Sequence, residues 1–435
     1  MMKKPGWVIS VLSAFLLPSF LVVLTASAST GSPQNLRPDA VTSGGPLGNL
    51  FQISFTDTDA KDPAIAYHPQ RHEYLVVWKN DLLNNSDIHA QRVSATGMLV
   101  GNPFFVSTGP GGDRYQPDVV YNSKQQEYLV IWAIDPPGPP GFEFHAQAVA
   151  AQGGITGPDI TFATGVYSAG GLHVAYSPVS DKYLVVWSTP GIVTQKVYGQ
   201  VLNSDGSTSA PNFDITGPLL NVGQALVAFN RSRNEYLVVW SEYPSGGTTR
   251  DVRARRVQGN GTPMYPDNLA LTALPDDQWA AAVAAMPTEP DKGEYLVGFE
   301  DGTPVAVYDL MALRVTGEGQ VQGAHFPVSE SPDDDVGLAI AADEHNLRYL
   351  LVNERKLVRI PHRPSIILGR EVSLEGQPLG SDTGIAGEQA TTPAVAAGRA
   401  GDYLVVFADK PATPTFDIYG RLWGLHRVFL PVVLR

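Results

Sequence analysis

The sequence predicts an all-β fold, a seven-bladed β-propeller of four-stranded antiparallel blades. Three observations support this prediction. An apolar pentad that begins with tyrosine recurs along the chain, each copy is flanked by further strand-like segments, and Gly and Pro are spaced between these segments. The pentads recur at intervals of 53 to 59 residues and begin at Tyr74, Tyr128, Tyr183, Tyr236, Tyr295, Tyr349 and Tyr403.

The pentad is the best-defined strand of each repeat. It reads YLVVW or YLVIW in the first four copies and then YLVGF, YLLVN and YLVVF. A continuously apolar strand is expected to be buried on both faces. We therefore expect its aromatic side chains to pack between neighbouring blades rather than to hold a ligand.

Three further strands complete each repeat. In the first copy they are residues 63–67 before the pentad, residues 87–93 after it and residues 104–107 beyond. The fourth position of the third strand is always Ala or Gly, which predicts the close approach of a neighbouring sheet. Six copies then place a glycine in the following turn, where a positive φ is required: Gly97, Gly153, Gly206, Gly261, Gly319 and Gly376.

The two ends of the repeat region predict how the ring closes. The seventh copy lacks a fourth strand after Trp423, whereas an unpaired fourth-strand sequence, residues 51–54, precedes the first copy. Placing this N-terminal strand in the last blade would close the ring and cover two sheet edges. Two separate β domains are an alternative, but no linker separates any pair of copies. An open β-solenoid is another, and the displaced strand argues against it.

With these features, the chain resembles seven-bladed β-propeller repeat proteins of the bacterial secreted type. The resemblance rests on the repeat YLVVW, then D-I-x-A-Q-R-V, then the turn glycine, and it covers residues 50 to about 425. It departs from the WD40 and kelch patterns, because the chain has no repeated G-H…W-D pair and no regular double glycine. The resemblance implies the fold and no particular activity.

The N-terminus is typical of a secretory signal peptide. Lys3 and Lys4 precede an apolar run, and Ala26, Ser27 and Ala28 form a small-residue cleavage site. The length of the apolar run leaves an uncleaved membrane anchor as the alternative. We expect cleavage near Ala28 and a secreted or cell-surface protein.

These features divide the chain into four parts. We expect a signal peptide at 1–28, a flexible linker at 29–48, the propeller at 49–425 and an apolar tail at 426–435. The tail is too short to span a bilayer. It either packs on the rim of the propeller or serves as a recognition segment at the cell surface.

The composition excludes several classes of function. Lys and Arg number 30 against 43 Asp and Glu, so the formal charge is −13, and cleavage after Ala28 makes it −15. Such an acidic chain is not expected to bind nucleic acid or anionic lipid. The absence of cysteine excludes disulfides, thiol catalysis and cysteine-ligated zinc. No G-x-S-x-G, H-E-x-x-H or P-loop motif occurs, and we assign no catalytic residues.

Candidate ligand-binding residues concentrate on one predicted face of the ring. The connections between the second and third strands and the connections between blades emerge on this face, which we call the acidic face. Carboxylates follow six of the pentads, at Asp81, Asp135, Glu242, Asp301, Glu354 and Asp409. Tyr167 and Tyr243 lie in an uncharged part of the same face and could stack on a sugar ring or a peptide side chain. Solvated turns and ordinary loop filling are the alternative interpretation.

A short run of acids suggests a metal. Asp57, Asp59 and Asp62 offer hard oxygen ligands at the spacing that Ca²⁺ could use. The run lacks the glycine and the distal Glu of an EF-hand loop, so solvated turns are again the alternative. Calcium is accordingly the one cofactor that the sequence suggests.

The sequence therefore predicts an exported, monomeric, non-catalytic binding or scaffold module with no membrane span in the mature chain. Its ligand, a glycan or a surface protein, is expected on the acidic face over the central channel. The alternative is a carbohydrate-active hydrolase that uses carboxylates of that face. A structural surface protein that associates with itself is the third possibility.

Overall fold

The structure is a computed structural model. The residues it describes are 43–81, 85–138, 141–166, 170–189, 195–217, 222–244, 247–264, 268–288, 293–302, 307–329, 331–358, 364–399, 401–410 and 414–425. The predicted signal peptide, most of the predicted linker, the C-terminal tail and Tyr167 lie outside these residues. No helix occurs in the described part of the chain, and hence none that could cross a membrane.

The described residues form seven four-stranded antiparallel sheets, which confirms the predicted propeller. Blade 1 contains β2 (Asp59–His68), β3 (Glu73–Asp81), β4 (Asp87–Ser94) and β5 (Leu99–Ser107). Blade 2 contains β6 (Asp113–Asn122), β7 (Glu127–Asp135), β8 (Phe142–Ala150) and β9 (Ile155–Val166). Blade 3 contains β10 (Gly170–Ser177), β11 (Lys182–Thr189), β12 (Lys196–Asn203) and β13 (Phe213–Asp214).

The remaining blades repeat this order from the inner to the outer strand. Blade 4 contains β14 (Val222–Asn230), β15 (Glu235–Glu242), β16 (Asp251–Gln258) and β17 (Leu269–Ala270). Blade 5 contains β18 (Asp277–Met286), β19 (Glu294–Gly302), β20 (Asp309–Thr316) and β21 (Val321–Ser329). Blade 6 contains β22 (Asp334–Asp343), β23 (Arg348–Lys356), β24 (Ser365–Ser373) and β25 (Pro378–Ala386). Blade 7 contains β26 (Thr391–Ala397), β27 (Tyr403–Asp409), β28 (Asp417–Gly424) and the N-terminal β1 (Gly45–Gln52).

The N-terminal strand closes the ring as predicted. β1 pairs antiparallel with β28, with Phe51 opposite Gly420. The Ile53 backbone N–H then donates to the Ile418 carbonyl at 2.7 Å. The strand is longer than the predicted 51–54, because it begins at Gly45, inside the segment predicted as linker.

The hydrophobic core consists of seven clusters, each formed between two neighbouring blades. Within the pentads, the first, third and fifth side chains pack against the preceding blade, and the second and fourth pack against the following one. Tyr74 and Trp78 thus belong to the cluster with blade 7, whereas Leu75 belongs to the cluster with blade 2. These side chains are almost fully buried, at 0 to 1% exposed. The predicted packing role of the pentad aromatics is therefore confirmed.

The turn glycines have the backbone conformation that the sequence predicts. From Gly97 to Gly376, the six residues have φ values between +80° and +93°. The small residue of the third strand has different close neighbours in different blades. A Cβ at Gly369 would lie 2.7 Å from the Trp423 ring of blade 7, which agrees with the expected approach of a neighbouring sheet. A Cβ at Gly420 would lie 2.7 Å from the Phe51 ring, and one at Gly199 would lie 2.7 Å from the Phe213 ring, so there the close neighbour is the outer strand of the same blade.

Ring closure can be tested within the N-terminal segment itself. Ile53 is fully buried between blades 7 and 1, whereas Leu50 on β1 is 39% exposed. We expect Ile53→Ala to lower the free energy of unfolding by about 2–5 kcal/mol, because it leaves a cavity at the closure. Leu50→Ala is the matched control and should change it by less than about 0.5 kcal/mol. Thermal or denaturant unfolding measures both, and equal effects would contradict this account of closure.

Candidate functional site

The seven inner strands surround a central channel that contains a cavity of about 500 Å³. The inner strands begin at the acidic face. Each has a β-bulge a few residues after its start, seen as a break in its pairing with the second strand. A bulge re-aims side chains that a regular strand would present to the neighbouring blades. The bulges therefore line the channel near the acidic face.

Three of the bulges hold a non-glycine residue in the left-handed region. Asp62, Gln116 and Thr392 have φ values of +51°, +49° and +50°, and a proline follows each of them. Such a conformation costs of order 1 kcal/mol or more for a residue with a side chain, and such costs are concentrated at functional sites. The channel mouth is therefore a place where the chain accepts local strain.

The lining of the cavity differs between the two sides of the ring. Blades 1 to 4 supply what we call the polar wall, whose polar residues are Asp62, Gln116, Asp118, His173 and Gln224, beside the apolar Ala64, Ile65, Leu172, Leu226 and Val227. Blades 5 to 7 supply the apolar wall, which consists mainly of Ala281, Val283, Ala339, Ile340, Ala394 and Val395 and also includes the exposed Thr392. Among the described residues that line the cavity, none is Lys or Arg. The cavity is therefore amphipathic and has acidic groups on one side.

Asp118 and His173 form the best-defined contact of the polar wall. The Asp118 Oδ2 lies 3.3 Å from the His173 Nδ1, on the next blade, and accepts the Val174 N–H at 3.0 Å. The Asp118 Oδ1 accepts the N–H of Val119 at 2.8 Å. The carboxylate is thus fixed in place, and it fixes the imidazole in turn.

Sequence reasoning missed both residues, although the repeat contains a signal for them. Both stand opposite the fourth residue of the pentad, Ile131 in blade 2 and Val186 in blade 3. The other five blades place an apolar residue at this position: Ala64, Leu226, Ala282, Ala339 and Ala394. An alignment of the seven copies on their second strands would have shown two polar residues at an apolar position.

Three of the predicted ligand-binding acids are buried and have partners within the protein. Glu242 accepts the Trp240 indole N–H at 2.7 Å, Glu354 accepts the Thr392 N–H at 3.3 Å, and Asp409 accepts the Lys410 N–H at 2.7 Å. Burial raises the pKa of the Glu242 and Asp409 carboxyls. All three are less than 10% exposed, so these carboxylates face the protein more than the solvent.

The other three predicted acids are more accessible but lie apart from one another. Asp81 forms ion pairs with Lys79 at 2.9 Å and Lys61 at 3.4 Å. Asp301 accepts a hydrogen bond from the Gln278 side chain at 2.9 Å. Asp135 is exposed and lines an open cavity of about 590 Å³ beside the 109–112 loop. None of the six predicted acids lines the channel cavity.

Tyr243 is engaged by neighbouring side chains. The Arg250 guanidinium lies 4.2 Å from the centre of its ring and 3.7 Å from that of Trp279. An arginine held between two aromatic rings stabilises their arrangement through cation–π contacts. One face of Tyr243 is thus already occupied.

The three acids of the predicted calcium site have different surroundings. Asp59 pairs with Lys61 at 2.7 Å and accepts the Phe416 N–H at 2.9 Å. Partial burial raises the pKa of Asp59, but the hydrogen bonds from Lys61 and the Phe416 N–H, together with the charges of Lys61 and Lys410, lower it by more. Asp62 belongs to the polar wall, and Asp57 is exposed. In the described part of the chain, no three His, Asp or Glu side chains are grouped so as to hold a metal ion. Calcium binding stays a prediction.

The chain matches no protein-family model and no curated protein. Its fold is similar to that of a fungal alcohol oxidase of the AA5 family in complex with copper, with a TM-score of 0.55 and 11% identity over 88% of this chain and 76% of the other. It is similar to the Dos1 propeller, with a TM-score of 0.50 and 11% identity over 89% and 96%. It is also similar to the phage phi92 endosialidase, with a TM-score of 0.50 and 8% identity over 91% and 71%. At these identities, the comparisons support the β-propeller architecture alone.

The burial of Asp409 predicts an effect of pH on stability. Asp409 stands opposite Asp417 in blade 7, and burial raises its pKa, so the folded chain holds the proton more tightly than the unfolded chain does. Its charge therefore costs stability at neutral pH, and the cost disappears as the pH falls through the raised pKa. We expect Asp409→Asn to raise the unfolding midpoint at pH 7 and to lose this advantage in acid.

The measurement is thermal unfolding of both chains from pH 7 down to pH 4. Asp135→Asn is the matched control, because Asp135 is exposed and should give the same midpoint as the parent chain at each pH. A lower midpoint for Asp409→Asn at pH 7 would contradict the prediction, since it would mean that the ionised carboxylate stabilises the fold.

Proposed function

We propose that this protein is an exported, non-catalytic binding module whose ligand enters the central channel from the acidic face. The observation that carries the proposal is the amphipathic cavity, in which five polar side chains from blades 1 to 4 face an apolar wall from blades 5 to 7. Its volume of about 500 Å³ is in the range of small-molecule sites, roughly 300–1,000 Å³. The predicted signal peptide supports export.

Preorganisation favours binding at this site. Asp118 is fixed by two backbone N–H groups and His173 is fixed by Asp118, so neither has to be ordered when a ligand arrives. Groups that are already in place avoid the cost of about 0.5–1.5 kcal/mol for each side chain immobilised on binding. The site can therefore be selective although few groups contact the ligand.

A glycan-cleaving hydrolase is the second candidate. Asp62 and Asp118 come from neighbouring blades and line the same wall, and two carboxylates are the usual minimum for glycoside hydrolysis. The endosialidase with a similar fold is an example of a propeller enzyme that acts on glycans. Turnover distinguishes the two candidates, since a binding module leaves its ligand unchanged.

A glycan array and a turnover assay test the proposal together. We expect the parent chain to bind a defined set of glycans, and Asp62→Asn and Asp118→Asn to weaken binding at least about tenfold, because each alters a polar group of the wall. Asp135→Asn is the matched control, since this exposed acid lies outside the channel cavity. Equal binding by all four chains would place the ligand elsewhere and contradict the proposal. Release of reducing sugar that both channel variants abolish would favour the hydrolase.

A further inference from the structure

The hydrogen bonds of Asp118 determine where His173 carries its proton. An ionised carboxylate only accepts hydrogen bonds, so the His173 Nδ1 must donate to the Asp118 Oδ2, 3.3 Å away. In the neutral ring, the proton then stands on Nδ1, and Nε2 is left with a lone pair. The His173 side chain is 38% exposed and lines the cavity. It therefore offers the ligand a hydrogen-bond acceptor.

The other groups of the polar wall complete an inventory of donors and acceptors. Asp62 adds a carboxylate, and Gln116 and Gln224 each add an amide that both donates and accepts. All three residues are exposed at the channel mouth. The wall is thus rich in acceptors but also presents amide donors.

This inventory discriminates between classes of ligand. An anionic ligand needs donors or cations, and it would meet the Asp62 carboxylate with no Lys or Arg among the described lining residues. An ammonium group only donates, so it would pair with the Asp62 carboxylate but would accept no hydrogen bond from the amide N–H groups. A hydroxyl group both donates and accepts, so it can donate to the carboxylate and imidazole acceptors of the wall and accept from its amide N–H groups. The polar wall therefore fits uncharged hydroxyl groups best.

The opposite wall supports the same class of ligand. Val283, Ile340 and Val395 line the cavity from blades 5 to 7 and are only partly buried. A sugar ring has hydroxyl groups around its edge and C–H groups on its faces, so it can meet both walls at once. Contact of the C–H groups with aliphatic side chains removes apolar surface from water.

We infer that the channel binds the end of a neutral glycan and that the Nε2 atom of His173 accepts a hydrogen bond from one of its hydroxyl groups. This inference rests on the proposed binding function and adds to it the class of ligand and a residue that selects for it.

The test is an array of neutral, amino-sugar and carboxylated oligosaccharides, read at pH 7.5. We expect the parent chain to bind neutral glycans and His173→Phe to weaken that binding about tenfold, the effect of roughly one lost hydrogen bond. His173→Gln keeps a hydrogen-bond acceptor, so it should retain most of the binding. His345→Gln is the matched control, because His345 lies exposed in a turn outside the channel cavity, and it should behave like the parent chain.

The outcomes separate this inference from the proposed function. Preference for carboxylated or amino glycans, weakened by Asp118→Asn, would overturn the inference and leave a binding module. Neutral glycans bound equally well by His173→Phe and the parent chain would overturn the role of His173. Absence of binding to every glycan on the array would overturn the inference and count against a glycan-binding function.

Discussion

The fold depends on burial of the second strand of each blade on both of its faces. The pentad residues alternate, so that Tyr, Val and Trp pack on the preceding blade while Leu and the second Val pack on the following one. No blade can bury its pentad alone, and every blade needs two neighbours. The ring must therefore close, and the chain closes it by placing β1 beside β28 and Ile53 in the cluster between blades 7 and 1. The Gly44 N–H adds a bond to the buried Glu371 of blade 6.

The concentration of acids on one face follows partly from the same packing. A side chain at the end of a second strand often accepts the backbone N–H of the next blade's inner strand, near its bulge. Ser241 accepts the Ala280 N–H, Glu300 the Gly337 N–H and Glu354 the Thr392 N–H. These N–H groups lie beside an irregular ladder and need acceptors. The acidity of this face is therefore in part a structural property, and the polar wall of the channel stands apart from it.

The repeated architecture could be predicted from the sequence, whereas the surroundings of individual site residues depend on contacts between strands and blades. The seven blades, the turn glycines and the closing strand each follow from a pattern repeated along the chain. Glu242 and Asp409 are the last residues of their strands, and their burial depends on how the neighbouring blade packs there, which the adjacent residues in the sequence do not specify. Arg250 lies between Tyr243 of its own blade and Trp279 of the next blade, and the sequence does not specify such a contact between blades. Locating the bulges requires the register in which the inner and second strands pair, and the sequence indicates that register only approximately.

The breaks in symmetry are where selectivity can arise. In a ring of identical blades, a ligand on the axis would meet seven equal surfaces, and no orientation would be preferred. In this protein, the inner strands of blades 1 to 4 carry different side chains from those of blades 5 to 7 at two levels along the channel. Near the acidic face, this difference separates the polar wall from the apolar wall. At the opposite end, the first four blades place Tyr67, Tyr121, Tyr176 and Phe229 where the last three place Ala285, Ala342 and Ala397. At that end, the aromatic side chains pack on the clusters between blades, so packing accounts for the difference there. Near the acidic face, the ligand that we propose would lie off the axis and contact the two sides of the channel unequally.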